Sequence, residues 1–332
     1  MPTRMLASAI SITAALTAAA CTFQLPSTAE DPRFLDGGRP PMRDASSGMS
    51  GGPHDATAID APKRCDDLAP FHSIGPLAGF ATAEMEGVVR LTPDELTMYF
   101  SGTDLFVAKR AHVTADFGPR VALAVNSATA ADYDPFVSSD GQTLLFGSSR
   151  ADPTVRLWRA TWSSAAQDFV DPVALPLMVA TTGNEDERQP FVSADGEELW
   201  FSSTSSRPGA QGGADIWYAT RMGAAWANAA IVPALSSAHH DWLPTLSADR
   251  RTIYIASDRP LPGSMVSGTY HIWRSHRPTV IDPWSPPSPV TELNGSNHHS
   301  VPGWLSADGC RLYYSRNVLN YSDADIYVAE RS

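Results

Sequence analysis

The sequence has little of three features, and each shortage excludes a class of protein. It carries 24 Lys and Arg against 36 Asp and Glu, a net charge of −12, and no basic tract interleaved with aromatic residues, which argues against a nucleic-acid partner. It contains no H-E-x-x-H, C-x-x-C, phosphate-loop or dinucleotide-binding pattern. Beyond the N-terminus, no apolar run is long enough to span a bilayer. The sequence therefore predicts neither nucleic-acid binding nor a spanning segment.

The chain has only three cysteines, and the first follows a short apolar run. One basic residue, Arg4, precedes the run from Leu6 to Ala20, an arrangement typical of a secretory signal. The residues around Cys21 resemble a bacterial lipoprotein cleavage site, although an ordinary signal peptide cleaved near Ala20 is the alternative. We expect residues 1–20 to be a signal peptide. The exported protein would be lipid-anchored through Cys21 in the cell envelope, on its periplasmic or surface side.

Residues 21–64 are rich in Ser, Pro, Gly, Asp and Ala and show no apolar periodicity. Such a segment buries too little apolar surface to offset its ordering entropy. We therefore expect a disordered tether between the lipidated Cys21 and a folded domain that begins near Cys65.

The rest of the chain repeats one segment: a strand, a turn that begins with Asp, a second strand, a polar loop and a third strand. Successive turns are 46 to 59 residues apart, and they begin at Asp94, Asp140, Asp195, Asp249 and Asp308. Asp-Gly between two apolar runs is a strong hairpin signal, because Gly accepts the positive φ that such turns need. Glu95 and Arg250 replace this Gly in two copies, where we expect looser turns. Repeats at this period indicate a repeat architecture.

The second strand of each copy is apolar on both faces, as in Leu199-Trp200-Phe201, so it has to be covered from both sides. The blades of a propeller cover one another in this way. A fourth strand with an opening aromatic residue follows from the spacing, at Phe71, Phe117, Phe169, Trp226 and Trp284. The region thus begins with a fourth strand and ends with a third, the offset that lets a ring close without a free sheet edge. We predict an all-β protein: a five-bladed β-propeller of four-stranded blades over residues 65–332, in which an N-terminal strand completes the last blade.

The repeat resembles that of TolB-type propellers, a WD-like pattern written roughly P-x-x-S-x-D-G-x-x-L-x-F-x-S-x-R followed by D-I-W. The turn and the third strand match this pattern, and an Arg after the second strand matches it at Arg150, Arg207, Arg259 and Arg316. The resemblance covers residues 65–332 and implies the propeller fold. TolB-type propellers usually have six blades, so six blades stay an alternative here. We expect each Arg to pair with an acid beside a third strand, such as Asp215 or Asp325.

The two remaining cysteines, Cys65 and Cys310, are an even pair in an exported protein. Cys65 precedes the strand that would complete the last blade, and Cys310 opens the second strand of that blade. We predict a disulfide that fastens the closure of the ring; two unpaired thiols are the alternative.

A polar residue recurs three positions before the Pro of each inner strand. These ring positions are Glu86, Asp132, Glu187, Asp241 and His299, with Glu86 placed by its distance from the turn. Closure would bring them round one mouth of the central channel, on the face whose loops vary most in length, and varied loops favour that face for binding. Three interpretations stay open. In the first, the ring residues cap loops; in the second, they hold a divalent cation such as calcium, magnesium or manganese together with His240; in the third, they supply catalytic carboxylates.

These observations favour a non-enzymatic envelope lipoprotein, a monomer whose propeller face binds a protein or glycan partner. The alternative is a carbohydrate-active enzyme, a glycosidase or lyase, in which the ring carboxylates supply the acid and the base or nucleophile. A propeller that serves a hydrolase on another chain is a third reading.

Overall fold

The computed structural model describes residues 64–332 except 81–85, 152, 179–184, 205–206, 265–267 and 319–323. The strands within these ranges form five four-stranded antiparallel sheets. The expected signal peptide (1–20), the lipidated Cys21 and all of the tether except residue 64 lie outside the described residues. In the described ranges, no helix has the length and hydropathy needed to cross a membrane.

The blades follow one another along the chain, each written here from its inner to its outer strand. Blade 1 consists of β2 (Val89–Leu91), β3 (Thr97–Ser101), β4 (Leu105–Lys109) and β5 (Val121–Ala122). Blade 2 consists of β6 (Asp132–Val137), β7 (Thr143–Ser148), β8 (Arg156–Ser163) and β9 (Asp168–Ala174). Blade 3 consists of β10 (Glu187–Val192), β11 (Glu198–Thr204), β12 (Ala214–Met222) and β13 (Ala225–Ile231). Blade 4 consists of β14 (Asp241–Leu246), β15 (Thr252–Ser257), β16 (His271–His276) and β17 (Ser288–Pro289). Blade 5 consists of β18 (His298–Leu305), β19 (Arg311–Val318), β20 (Ala324–Glu330) and β1 (Ser73–Pro76).

The five-bladed propeller predicted from the repeat is confirmed, including its closure. The first described strand, β1, pairs with the last, β20, and so completes blade 5 from the other end of the chain. We call the face at which the inner strands begin the upper face, and the face that carries the five Asp turns the lower face.

The turns of the lower face share one conformation, and the expectation of looser turns at Glu95 and Arg250 is wrong. Both residues adopt a φ near 60°, close to the glycine φ of 70–76° in the other three turns. All five turn N–H groups donate to the carbonyl three residues earlier at 2.8–2.9 Å. Such a φ costs free energy in a residue with a side chain. Here that cost is offset, because each side chain forms ion pairs with a neighbouring blade.

Second strands form the core, as their apolar faces predict. Leu199, Trp200 and Phe201 are at most 2 % exposed, and the equivalent residues of the other blades are almost as deeply buried. Two of the fourth strands, β5 and β17, are only two residues long, and their aromatic residues Phe117 and Trp284 precede them. Prolines explain the shortness, since Pro119, Pro286 and Pro287 supply no N–H to the ladder.

The ring is fastened where blade 5 meets the start of the described chain. The predicted Cys65–Cys310 disulfide is present, and it joins positions 245 residues apart. The carboxylate of Glu95 in blade 1 accepts hydrogen bonds from Arg311 and Tyr313 in blade 5. The closure therefore combines a covalent bond, a strand pair and a buried charge network.

The turn aspartates are expected to stabilise the fold in a pH-dependent way. Asp140 accepts hydrogen bonds from the Ser138 hydroxyl and the Gln142 N–H, which lower the pKa of its carboxyl. A pKa lowered in the folded state means that the stabilisation is present above pH 3.8 and is lost as the pH falls below it. We expect Asp140→Asn to cost about 1 kcal/mol at pH 7 and less than that at pH 3. Urea unfolding at both pH values measures this; an equal loss at both would contradict it.

Candidate functional site

The ring carboxylates are buried and bonded within their own blades. Asp132, Glu187 and Asp241 begin β6, β10 and β14 and are 0–7 % exposed. Each pairs with the Arg that follows the second strand of its blade: Asp132 with Arg150, Glu187 with Arg207 and Asp241 with Arg259, and Asp132 Oδ1 lies 2.7 Å from Arg150 Nη2. The same Arg side chains lie over the aromatic residue of the third strand, with 5.1–5.3 Å from Cζ to the ring centre at Trp158, Trp217 and Trp273. An acid, an Arg and an aromatic residue thus form one unit that recurs from blade to blade.

The other two ring positions are also occupied by local contacts. His299 is 3 % exposed, and its Nδ1 accepts the N–H of Tyr270 at 2.9 Å. Glu86 is 2 % exposed and lies 3.9 Å from Arg120. Ring residues also cap loops, since Asp132 Oδ2 accepts the Ser127 N–H and Asp241 Oδ2 accepts the Ser237 hydroxyl. The arrangement supports the loop-capping interpretation.

One expectation about these residues does not fit the structure. Asp215 is not the partner of Arg207, which pairs with Glu187; the Asp215 carboxylate accepts the N–H groups of Gln211 and Gly212, and burial raises its pKa. Within the described part of the chain, no three His, Cys, Asp or Glu side chains are grouped so as to hold a metal ion, and a cation at the ring stays an untested interpretation.

The half-exposed residues of the upper channel mouth lie one position after the ring positions. Successive residues of a strand point to opposite sides, so a buried ring residue leaves its neighbour facing the opening. These neighbours are Tyr133, Arg188 and Trp242. The Arg188 guanidinium lies over the Tyr133 ring, 4.4 Å from its centre. The residues that face the opening therefore lie one position after the predicted ring residues, and the sequence analysis did not single out Arg188.

Below this mouth a buried Arg crosses the channel. Arg90 of blade 1 is 1 % exposed and donates to Thr245 Oγ1 at 3.1 Å and to the Pro244 carbonyl at 3.3 Å, both in blade 4. Blades 1 and 4 are not neighbours in a five-membered ring, so the side chain has to pass over the axis. Its guanidinium lies 5.4 Å from the ring centre of Phe191 in blade 3. Burial lowers the pKa of Arg90 to about 9, while Asp134 opposes this shift, so the group is still a cation at neutral pH.

Two further polar side chains line the channel beside Arg90. Asp134 and Gln189 occupy the third position of β6 and β10, have φ of 56° and 52°, and are each 5 % exposed. The strand pairing shifts register here, a β-bulge that re-aims a side chain. Asp134 Oδ2 lies 3.3 Å from Arg188 Nε without hydrogen-bond alignment, and Gln189 Oε1 has no hydrogen-bond partner among the described residues. We call Arg90, Asp134, Arg188 and Gln189 the channel cluster; each of these side chains has a buried polar atom without a hydrogen-bond partner among the described residues.

The predicted metal ligand His240 belongs to an aromatic group on the same face. Its ring stacks on Trp242, with ring centres 5.4 Å apart, and Tyr270 meets Trp242 edge-on at 5.1 Å. A Cβ on Gly213 would lie 2.3 Å from the His240 ring, so glycine is required there for this close approach. These contacts give His240 a packing role.

At the other end of the channel, the lower face opens into a cavity of about 550 Å³. Residues from all five blades line it, among them Leu91, Phe136, Phe191, Leu246 and Trp304. The preference of the sequence for the upper face stays a prediction, and the fold offers two mouths.

Comparison with known proteins places the fold. No protein-family model matches the chain, and no curated protein matches it. Among solved structures, TolB from Acinetobacter baumannii shares 14% identity over 75% of this chain and 55% of its own, with a TM-score of 0.45. An α-L-arabinofuranosidase from Lactobacillus brevis shares 11% over 77% and 93%, with a TM-score of 0.51. The chain spans about half the length of that TolB protein. The propeller fold that the TolB-type repeat implied is the fold that the structure has, and at these identities the similarity shows the fold alone.

Proposed function

We propose that this chain is a non-enzymatic binding scaffold whose upper channel mouth takes a glycan partner. One observation carries the proposal: the ring carboxylates are locked in the frame of the blades, whereas the channel cluster holds buried polar atoms with no hydrogen-bond partner among the described residues.

Catalysis by the ring carboxylates is poorly supported by this arrangement. A glycosidase needs one carboxyl as proton donor and a second as base or nucleophile, both facing the substrate. Asp132 and Asp241 are fully buried, and each is paired with Arg and also bonded to its own loop. A carboxylate held in this way serves as the buried counter-ion of its Arg and as a loop cap.

The channel cluster supports a hydroxyl-rich ligand over an apolar one. Buried polar atoms without partners are costly, and a ligand that satisfies them recovers that cost. A sugar hydroxyl both donates and accepts, which suits Arg Nε donors beside carboxylate and amide acceptors. Half-exposed Tyr133 and Trp242 flank the mouth and offer ring surface for the apolar face of a sugar.

The proposed setting is the bacterial cell envelope, where the chain would be a monomer. The apolar run before Cys21 supports export, and Cys21 supports a lipid anchor. The disulfide supports an oxidising compartment.

The proposal predicts that Gln189→Leu weakens glycan binding about tenfold, because one buried amide loses its bonds to the ligand. Leu is tolerated in this conformation, since Leu243 holds the equivalent position of blade 4 at a φ of 57°. Binding of the full chain to an immobilised panel of neutral and acidic oligosaccharides measures the effect, and chromatography of the incubated sugars measures turnover.

Gln167→Leu is the matched control: Gln167 also has a positive φ, 53°, but lies in an exposed turn of the lower face. We expect it to bind like the parent chain, and we expect no cleavage of any sugar. Cleavage abolished by Asp241→Asn would favour the carbohydrate-active enzyme instead. Absence of binding to the whole panel would favour a protein partner and contradict the glycan proposal.

A further inference from the structure

The cavity of the lower face has the walls of a ligand site. Its volume of about 550 Å³ lies in the range of small-molecule pockets. Aromatic side chains form much of its floor: Phe136, Phe191, Trp226 and Trp304. Phe136 and Phe191 contact each other across neighbouring blades, with ring centres 5.1 Å apart. At 4–9 % exposure, these four residues are buried yet still reach the cavity surface.

The lining of this cavity shares no residue with the channel cluster. Arg90 lies over the Phe191 ring, which lines the cavity, and reaches from blade 1 to blade 4 across the channel axis. A ligand of the lower cavity therefore enters from the lower face and is distinct from a ligand of the channel cluster.

Small residues keep the lower mouth open. The residue before each turn Asp lines the cavity, and it is Pro93, Ser139, Ala194, Ala248 or Ala307. All five are exposed, so a larger side chain in place of Ser139 or an Ala fits there without disturbing the core and would project over the opening. A substitution at this position can therefore block the mouth of the cavity.

The charged side chains that line the cavity carry both signs: Asp140, Asp195 and Glu197 against Arg159 and Arg221. Asp195 pairs with Arg250 at 2.7 Å, and Asp140 accepts the Ser138 hydroxyl. Arg221 donates to the carbonyls of Gly196 and Gly223 and lies over the Trp226 ring. The aromatic floor itself carries no charged group. A ligand with a single charge would bury it without a partner, which is costly.

We propose that the lower cavity is a second binding site, for a small uncharged aromatic compound. The floor supplies aromatic edges and faces for stacking. The apolar surface is confined to the cavity, because the surrounding turns carry Asp, Glu and Arg side chains. The area available for apolar contact therefore suits one small molecule better than a protein surface.

Three indole compounds that differ in charge test this: indole-3-acetamide, indole-3-acetate and tryptamine. Calorimetric titration of each into the full chain measures affinity. We expect the neutral amide to bind about tenfold more tightly than either ion, because only the ions bring a buried charge. We expect Ala194→Trp, which fills the mouth, to weaken the amide about tenfold or more.

Ala165→Trp is the matched control, since Ala165 lies in an exposed turn on the same face but outside the cavity; it should leave affinity unchanged. Equal affinity for all three compounds, no binding at millimolar concentration, or binding that survives Ala194→Trp would overturn the inference. So would tighter binding of a blocked Ala-Trp-Ala peptide, which would assign the cavity to a partner side chain. Gln189→Leu should not affect these titrations, so the proposals for the two sites are tested independently of each other.

Discussion

Asp241→Asn is expected to lower the free energy of unfolding by about 3 kcal/mol, because it leaves the charge of Arg259 without its buried counter-ion. Asp241 is fully buried and also accepts the Ser237 hydroxyl, so the loop that leads into β14 loses a cap as well. For a domain of this size, such a loss lowers the melting temperature by about 9 °C. Urea unfolding and differential scanning calorimetry of the full chain measure both values.

The double variant Asp241→Asn with Arg259→Met tests whether the loss of stability comes from the broken ion pair or from lost packing. Most of the cost of breaking a buried pair is the uncompensated partner charge, so removing that charge should recover at least half of the loss. The Met side chain can still pack on Trp273, over which Arg259 lies. A double variant that is less stable than Asp241→Asn would contradict the pair as the main source of stabilisation.

Removal of the Cys65–Cys310 disulfide is expected to lower the free energy of unfolding by about 4 kcal/mol and the melting temperature by about 12 °C. The bond closes a loop of 245 residues, so it strongly restricts the unfolded chain. It also holds the start of the described chain against blade 5, where β1 supplies the outer strand. Melting curves of the oxidised protein, the reduced protein and the variant Cys65→Ser with Cys310→Ser measure this.

The reduced protein and the double Ser variant should melt together, because both lack the same bond. A reductant should leave the double variant unchanged. A double variant that melts with the oxidised protein would show that strand pairing and the Glu95 network close the ring unaided, against the expectation.

The fold was predictable because each repeat carries its own turn and strand signals, and because the offset of the first strand fixes the closure. The turns at Glu95 and Arg250 were mispredicted because the contacts that stabilise them come from residues far away in the sequence. Glu95 bonds to Arg311, which is 216 residues away, and this contact offsets the strained backbone. Propensity at a turn is overridden when a distant side chain holds the residue in place.

The candidate site was less predictable than the fold. The recurring acids drew attention to the ring positions, but the two-residue period of a strand turns their side chains into the blade and presents Arg188 and Trp242 instead. Arg90 carries no local signal, since its partner Thr245 is 155 residues away and on a blade that is not adjacent. Contacts across the axis exist only after the ring has closed.

The most direct test of the account compares Asp241→Asn with Gln189→Leu for both melting temperature and glycan affinity, measured at 20 °C on the full chain. We predict a crossed result. Asp241→Asn should lower the melting temperature and leave affinity within about twofold, and Gln189→Leu should lower affinity about tenfold with little change in melting. In the reverse pattern, Asp241→Asn abolishes binding or turnover while the fold keeps its stability. That result would contradict the account in which the ring residues stabilise the fold and the channel cluster binds the glycan.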